Sequence, residues 1–458
     1  MSTTNHGWEK TIATHYNEAV EWRRQLHRNP QPGWLEFYST GFVAEKLAEW
    51  GYELLLGEHI IAADKRANVP DFQTLEAEYD RAIKSGIKEQ FVAPARGGLT
   101  GVVGILRGAL PGPVVGFRFD IDGTAAMESD DPSHRPAAEG FVSQNRGYAH
   151  MCGHDVHTAM GLLLARHFAE NRQTLKGTVK FLFQPNQEEL NGAEAMVEKK
   201  TVDDVEFLLS GHVGINAMQV GQIATNVVDF MALSRFEVTY RGRSSHAALR
   251  PEDGRNALLG ACAAVTNLHA ISRHSDGASR VNVGFMQAGT TWNLIPEEAC
   301  LRMETRGVTN GIHAFMVEKA REVLEGAARM YGLELEVKRA ATALSAQSSP
   351  ELIELGTSVA GKLASTADVL DETAYNASED VTVMMERVQS KGGKALFVLF
   401  GTPVGGGHHS ATFDVDERVI LNGAQFLAAM HEEVAQAGQA QVSRGVCLCR
   451  KESRNLPA

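Results

Sequence analysis

Short apolar runs alternate with helical patterns through the first half of the chain, and this alternation constrains the fold more than any other feature. Residues 101–106, 114–119 and 179–183 have the composition of buried strands, and residues 158–168 have a helical pattern. Such alternation predicts an α/β layer with a largely parallel sheet. Ligands bind beyond the carboxyl ends of the strands in sheets of this kind. We therefore expect a site where polar segments directly follow strands, at 120–123, 184–189 and 212–214.

From about residue 230 the pattern changes to strand–helix–strand–strand–helix–strand, which is the ferredoxin-like order. The α/β pattern returns afterwards, so the second unit is expected to be an insertion in the first. The predicted domains are 1–226 with 343–436, the inserted 227–342, and a polar tail at 437–458. We also expect one amphipathic helix over 8–28 and, over 57–98, a weakly helical segment that could cover a cleft.

Composition narrows the class of protein. The net charge of −12 argues against nucleic acid or an anionic membrane as a partner. No run approaches the about 20 apolar residues that a membrane span needs, and the N-terminal residues lack the apolar core of a signal peptide. The five cysteines are scattered and do not form a secreted disulfide framework, so we expect a cytoplasmic protein.

The stretch His150–His157 holds three histidines, a cysteine and an aspartate within eight residues. Thiolate and imidazole are ligands that zinc and related divalent transition metals prefer. Gly153 lets the backbone turn tightly between Cys152 and His154, so that both side chains can face one point. The stretch therefore predicts part of a metal site, although a simple turn before a helix would also fit it when taken alone.

The chain resembles the metal-dependent aminoacylase/carboxypeptidase family, in its amidohydrolase branch. The resemblance rests on the segments 22–24, 117–122, 152–155, 183–185, 245–247, 251–254, 378–380 and 407–409. It implies a zinc-peptidase-like α/β catalytic domain with an inserted ferredoxin-like α+β lid that also dimerises. A homodimer or a higher homo-oligomer through the lid is therefore expected, as is a small aromatic carboxylate as substrate.

The resemblance also assigns roles to residues. The metal ligands that it implies are Cys152, His154, Glu188, His212 and His409, holding one or two divalent ions, Mn²⁺ or Zn²⁺. The residues expected to orient these ligands are Asp122 and Asp155, and those expected to be neighbours without a ligand role are His157 and His408. The residues expected at the substrate are His246 and Asn293, which would stabilise an oxyanion, and Arg306, which would hold a carboxylate.

One position departs from the family pattern. Where the family has a glutamate that acts as general base, immediately before the liganding Glu188, this chain has Gln187. An amide cannot move a proton, and loss of a general base typically costs about 10²–10⁴ in rate. Gln187, Glu188 and Glu189 are therefore the residues on which the chemistry depends.

Three functions are compatible with Gln187. The first, which we favour from the sequence, is hydrolytic deamination of an electron-poor aryl amine such as 5-nitroanthranilate, a reaction known in the family, in which activated water attacks a ring carbon. The second is amide hydrolysis of an N-acyl amino acid such as p-aminobenzoyl-glutamate, with Glu188 or Glu189 as the base. The third is non-catalytic binding of a metal or a ligand.

Overall fold

The computed structural model describes the backbone of residues 7–452 and the side chains of residues 9–436. Its α-helices are α1 Gly7–Thr14, α2 Tyr16–Arg28, α3 Phe37–Glu49, α4 Phe72–Lys84, α5 Glu89–Val92, α6 Arg135–Ala138, α7 His154–Glu170, α8 Gly192–Glu198, α9 Ala257–His269, α10 Asn310–Tyr331, α11 Pro350–Ala360, α12 Val381–Ser390 and α13 Arg418–Glu452. Its strands are β1 Glu53–Leu55, β2 Val102–Arg107, β3 Leu110–Asp120, β4 Lys176–Gln184, β5 Phe207–Val213, β6 Gln222–Ala224, β7 Val227–Val228, β8 Ala232–Arg241, β9 Ser279–Ala288, β10 Glu298–Gly307, β11 Glu334–Ala343, β12 Asp368–Leu370, β13 Thr373–Ala374, β14 Lys394–Phe400, β15 Val404–Gly405 and β16 Asp414–Val415.

The larger sheet has eight strands in the order β1-β2-β4-β3-β5-β14-β6-β12. Its four central strands, β4, β3, β5 and β14, are parallel, as the alternation predicts. Antiparallel strands lie to either side of these four: β2 is antiparallel to β1 and β4, and β6 is antiparallel to β14. Only residues 108–109 join β2 to β3, and a link that short cannot hold the crossover that a parallel arrangement requires.

Helices cover both faces of this sheet. The core on one face includes apolar residues of α2, α3, α7 and α13, and the core on the other face includes those of α8 and α12. Strand β14 supplies both cores alternately, with Phe400 in the first and Phe397 in the second. Burial on both faces explains why the central strands have nearly continuous apolar sequences.

The smaller sheet has four antiparallel strands in the order β11-β8-β10-β9. Helices α9 and α10 pack against it and share a separate core that includes Tyr240, Leu301 and Leu324. The side chains of Asn256 and Thr309 cap the two helices by accepting hydrogen bonds from backbone N–H groups. The ferredoxin-like order of elements is thus confirmed, while the domain boundaries at 227 and 342 stay a prediction.

One local expectation is wrong, and two other segments have more structure than the sequence indicates. The single helix expected over 8–28 is two helices, and next to the break the Thr14 hydroxyl donates a hydrogen bond to the Thr11 carbonyl. The segment 57–98 contributes core residues such as Leu75 and Tyr79 and so is more than a covering insertion. Helix α13 continues to Glu452, through most of the expected polar tail. Within the described residues, no helix is both long enough and apolar enough to cross a membrane.

Candidate metal centre and the adjoining cavity

The five ligands implied by the resemblance lie together at the carboxyl ends of the central strands. Cys152 and His154 stand at the start of α7, Glu188 lies in the loop after β4, and His212 is near the end of β5. His409 lies in the hairpin between β15 and β16, and its backbone N–H donates to the Met151 carbonyl, which ties the hairpin to the Cys152 segment.

The ligand atoms of this cluster are close to one another. The Cys152 Sγ lies 3.4 Å from the His212 Nε2, and the Glu188 Oε2 lies 3.2 Å from the His409 Nε2. The Glu188 Oε1 lies 3.9 Å from the His154 Nε2. The ligand atoms of Cys152, Glu188 and His409 are all within 4.8 Å of one another, a spacing that one or two ions could bridge.

Gly153 makes the approach of Cys152 and His154 possible, as the sequence predicts. Its φ of 97° lies in the left-handed region that glycine adopts without strain. A Cβ at this position would also lie 2.5 Å from the Val213 side chain, which a real contact does not allow. Helix α7 therefore begins immediately at His154, with Cys152 turned towards the same point.

The imidazoles are oriented as metal ligands require. The His154 Nδ1 lies 2.9 Å from the Asp122 carbonyl and 3.0 Å from its carboxylate, so Nδ1 carries the proton and Nε2 keeps a free lone pair. The His212 Nδ1 likewise donates to the Val213 carbonyl at 2.8 Å. Two buried atoms of the cluster, the His154 Nε2 and the Glu188 Oε1, have no hydrogen-bond partner within the described residues. Such orphaned atoms among soft and hard donors fit a divalent metal.

The hydrogen bonds of His157 and His408 support their expected position as neighbours. The His157 Nε2 accepts from the Val213 N–H at 3.0 Å, and its Nδ1 contacts the Asp120 carboxylate at 2.5 Å, so both nitrogens are used. The His408 Nε2 accepts from the Ile215 N–H at 3.2 Å. Burial lowers the pKa of His408 to about 4, so the ring is neutral and its proton is on Nδ1, which faces Cys152.

The electrostatics of the cluster are those of tightly associated donors. The hydrogen bond with Cys152, followed by that with Glu188, raises the pKa of His409 to about 10. Burial, followed by the charge of Glu188, raises the pKa of the Cys152 thiol. Behind the cluster, burial and the nearby Asp122 raise the pKa of Glu36 to about 8. Crowded carboxylates beside a thiol and imidazoles are an arrangement that added positive charge stabilises.

Arg23 joins two of the ligand segments. Its fully buried guanidinium contacts the Asp155 carboxylate at 2.7 Å, next to His154, and the Asp414 carboxylate at 3.0 Å, at the end of the hairpin that carries His409. The expectation that Asp155 orients a metal ligand is therefore wrong. Successive helical positions differ by about 100° in direction, so Asp155 faces α2 while His154 faces the cluster.

The residues expected to perform chemistry differ in their surroundings. Gln187 is only 6% exposed, and within residues 9–436 its side-chain amide has no hydrogen-bond partner. Glu189 is exposed and lies 3.6 Å from the Arg235 guanidinium on β8. The carboxylate of Glu188 faces His154 and His409, which leaves Glu189 as the carboxylate of this loop outside the cluster.

The structure does not bring the three lid residues to the metal cluster within one chain. His246 and Asn293 lie on two paired loops at the surface of the smaller sheet, where Ala247 N–H donates to the Asn293 carbonyl. Arg306 on β10 is engaged by Glu304, with Nε and Nη2 at 2.8 Å and 3.2 Å from the two carboxylate oxygens. The two N–H groups with which Arg306 would bind a substrate carboxylate therefore already bind a carboxylate of its own strand.

A cavity of about 650 Å³ lies between the loop after β4 and the smaller sheet; its lining includes Glu189 but none of the five cluster residues. Its wall is formed on one side by Gly33, Val69 and Glu189, and on the other by residues of the smaller sheet such as Arg235 and Arg302. Glu189 belongs to the same loop as Gln187 and Glu188, so the cavity reaches that loop. The expectation that segment 57–98 covers a cleft agrees with the place of Val69 in this wall.

Three residues with contacts around the candidate site were not singled out from the sequence. Asp120 lies in the recognised segment 117–122, and its position at the end of β3 was a usable signal for its contact with His157. Arg23 also lies in a recognised segment, but nothing in the sequence indicates that it bridges Asp155 and Asp414. Arg235 gives no sequence signal, because its contact with Glu189 arises only from the packing of β8 against the loop after β4.

Known proteins of one family match most of this chain. The model of peptidase family M20/M25/M40 matches residues 116–433. The chain is 41% identical over 408 residues to one of the subunits of p-aminobenzoyl-glutamate hydrolase from Escherichia coli (strain K12), covering 89% of this chain and 93% of that protein. It is 42% identical over 412 residues to indole-3-acetyl-aspartic acid hydrolase of Enterobacter agglomerans, covering 90% and 94%. The crystal structure of aminobenzoyl-glutamate utilization protein from Klebsiella pneumoniae matches with a TM-score of 0.79 and 35% identity, covering 93% and 98%.

Proposed function

Because the chain belongs to peptidase family M20/M25/M40, we propose that it is a metal-dependent amidohydrolase that cleaves an N-acyl amino acid with an aromatic acyl group, such as p-aminobenzoyl-glutamate. The observation that carries the proposal is the cluster of Cys152, His154, Glu188, His212 and His409 with its orphaned buried atoms. The relatives named for p-aminobenzoyl-glutamate and indole-3-acetyl-aspartic acid support this substrate class.

The comparisons favour amide hydrolysis over the aryl deamination that we favoured from the sequence. The relatives that match over most of the chain are named for amide substrates, and deamination of 5-nitroanthranilate has only Gln187 in its support. The comparisons also disfavour non-catalytic binding, since the family and its named relatives are hydrolases.

The residues that would hold the metal fit a divalent ion. Three imidazole nitrogens, a thiolate and a carboxylate form the donor set, and the thiolate favours zinc over manganese. A bound ion of this kind supplies Lewis acidity, which lowers the pKa of water and polarises a carbonyl group. Asp122 holds His154 in the required tautomer, and Arg23 holds the segments of His154 and His409 at a fixed separation.

The remaining task, proton transfer to the leaving amine, falls to a carboxylate. Gln187 cannot perform it, although its amide N–H, unpaired within the described residues, can donate a hydrogen bond to a substrate carbonyl. Glu188 belongs to the metal cluster, whereas Glu189 is exposed to the adjoining cavity. We therefore assign the proton transfer to Glu189, with a lower rate expected than for a base at position 187.

Assembly through the smaller sheet remains part of the proposal. His246 and Asn293 lie on the surface of that sheet, so any contact of theirs with substrate requires the cluster of another copy. The relative from Escherichia coli is itself named as one component of a hydrolase. Sedimentation velocity of the purified protein tests this point, and a monomer at all concentrations would remove His246 and Asn293 from the mechanism.

The test of function uses two substrates. Protein loaded with Zn²⁺ or Mn²⁺ is incubated with p-aminobenzoyl-glutamate and, separately, with 5-nitroanthranilate, and products are separated by chromatography. We expect free p-aminobenzoate from the first and no reaction with the second, and no product from a Cys152→Ala variant. Ammonia and nitrosalicylate from the second substrate alone would replace the proposal by deamination. Absence of product from both would favour non-catalytic binding.

A further inference from the structure

The cavity lined by Glu189 contains two arginines, and one of them has no close partner for its charge. Arg302 donates to Glu237 at 3.1 Å. Arg235 has only two long ion pairs, at 3.6 Å to Glu189 and 3.8 Å to Glu304, and within residues 9–436 its guanidinium makes no hydrogen bond. A guanidinium has five N–H donors, and those of Arg235 are therefore available to a ligand.

The other charged side chains of the cavity wall are paired, which leaves the guanidinium of Arg235 to bind an anionic ligand. Glu304 is bound bidentately by Arg306, and Glu237 is bound by Arg302, so these two acidic side chains of the wall are neutralised. What remains is the loose pair of Arg235 and Glu189 at the boundary between the two domains. A planar guanidinium with unfilled donors recognises carboxylates by paired hydrogen bonds.

The position of Arg235 allows it to contact the carboxylate of a substrate. Its partner Glu189 directly follows the cluster residue Glu188, so a carboxylate bound by Arg235 lies near the metal centre. The volume of about 650 Å³ is within the about 300–1,000 Å³ of small-molecule pockets. Arg306, which the family resemblance implies for this task, would first have to release Glu304.

We propose that Arg235 binds the side-chain carboxylate of a dicarboxylic amino acid, so that the preferred substrates are N-acyl derivatives of glutamate or aspartate. This inference rests on the proposed amide hydrolysis and adds the residue that selects the amino acid. Binding of the ligand carboxylate replaces the 3.6 Å contact of Arg235 with Glu189. Glu189 is thereby freed for proton transfer, which couples recognition of the correct substrate to the availability of the base.

The test measures binding with ligands that cannot be hydrolysed. N-(4-aminobenzyl)-glutamate, in which a methylene group replaces the amide carbonyl, and its glutamine counterpart are titrated calorimetrically into the metal-loaded protein. We expect the wild type to prefer the glutamate ligand by about 10- to 100-fold, the loss associated with a hydrogen-bonded charge. Arg235→Gln should reduce the preference to less than about 3-fold, and Arg235→Lys should keep an intermediate preference because it retains charge without the fork.

Arg241→Gln is the matched control. Arg241 is on the same strand and the same face as Arg235, is more exposed, and pairs with Glu336 outside the cavity. It should keep the full preference for the glutamate ligand. An unchanged preference in Arg235→Gln, or an equal loss in Arg241→Gln, would overturn the assignment of Arg235.

Binding and turnover separate this inference from the proposed function. A wild type that prefers the glutamate ligand through Arg235 but releases no p-aminobenzoate would refute amide hydrolysis and retain the carboxylate site. A wild type that cleaves p-aminobenzoyl-glutamate and p-aminobenzoyl-glutamine equally well, and binds both ligands equally, would refute the carboxylate site and retain amide hydrolysis.

Discussion

Replacement of Asp122 by asparagine should weaken metal binding about 10-fold. The buried carboxylate receives two hydrogen bonds, from the His154 Nδ1 at 3.0 Å and from the Glu188 backbone N–H at 2.9 Å. Asparagine has one oxygen and one NH₂ group, so whichever way the amide turns, its NH₂ group faces a donor. Either His154 or the loop of Glu188 is then displaced from the metal cluster.

The magnitude follows from the acceptors that remain. Loss of a residue that orients a metal ligand typically costs about 10- to 100-fold in metal affinity. The His154 Nδ1 keeps a second acceptor, the Asp122 backbone carbonyl at 2.9 Å, so its tautomer survives the substitution. The Glu188 N–H donates to the Asp122 carboxylate and has no second acceptor among the residues that the structure describes. The substitution therefore removes the hydrogen bond that orients the Glu188 loop. We therefore expect a value near the lower end, about 10-fold or about 1.4 kcal/mol.

The measurement is a competition titration of metal-stripped protein with Zn²⁺ and a chromophoric chelator. Asp64→Asn, which removes the same charge at an exposed position, is the control and should bind Zn²⁺ as the wild type does. Thermal unfolding of both metal-free variants separates general destabilisation from a local effect. An affinity of Asp122→Asn within about 2-fold of the wild type would show that Asp122 does not organise the metal centre.

Three further substitutions test other parts of the structure. Gln187→Glu should accelerate release of p-aminobenzoate, by up to the about 10²–10⁴ that a general base contributes, and a slower variant would instead give the amide a role of its own. Arg23→Met leaves buried carboxylates without their cation and should lower the free energy of unfolding by about 3–5 kcal/mol in urea titrations. Arg28→Met, at the half-buried end of α2, removes an ion pair with the exposed Glu21 and should change this free energy by less than about 1 kcal/mol. Burial lowers the pKa of His431 to about 4, so between pH 6.5 and pH 4 the unfolded chain binds a proton that the folded one does not, and stability falls as the pH falls. His431→Phe should remove up to about 3 kcal/mol of this loss at pH 4. His269→Phe, at an exposed position, should keep the wild-type pH dependence. The same dependence of unfolding free energy on pH in both variants would show that His431 is not the titrating group.

Much of the fold was predictable because burial determines it locally. The central strands are buried on both faces, so their apolar runs are long enough to recognise, and the residues after them meet by the geometry of parallel strands. The order of elements in the smaller domain was predictable for the same reason. Of the candidate site, the five ligand-type residues do lie together, as the resemblance implied from short motifs around Cys152, Glu188 and His409.

What escaped prediction depends on contacts between distant segments. Arg306 and Glu304 are two residues apart on one strand and therefore share a face, yet their bidentate pairing depends on side-chain conformation that a sequence does not give. The direction of Asp155 depends on which helix packs beside α7. The antiparallel pairings of β2 and of β6 with β14 depend on strand order, which local patterns do not specify. Two of the five scattered cysteines, Cys447 and Cys449, lie outside the residues whose side chains the structure describes.

The bridge made by Arg23 has a consequence for how the protein acquires its metal. The guanidinium connects residues 155 and 414, so the large loop between the two ligand segments is closed when the chain folds. The entropy lost in closing that loop is then part of the folding free energy and does not reduce the affinity for the ion. We therefore expect the metal-free protein to stay folded. Such a protein can release its metal and bind it again without refolding.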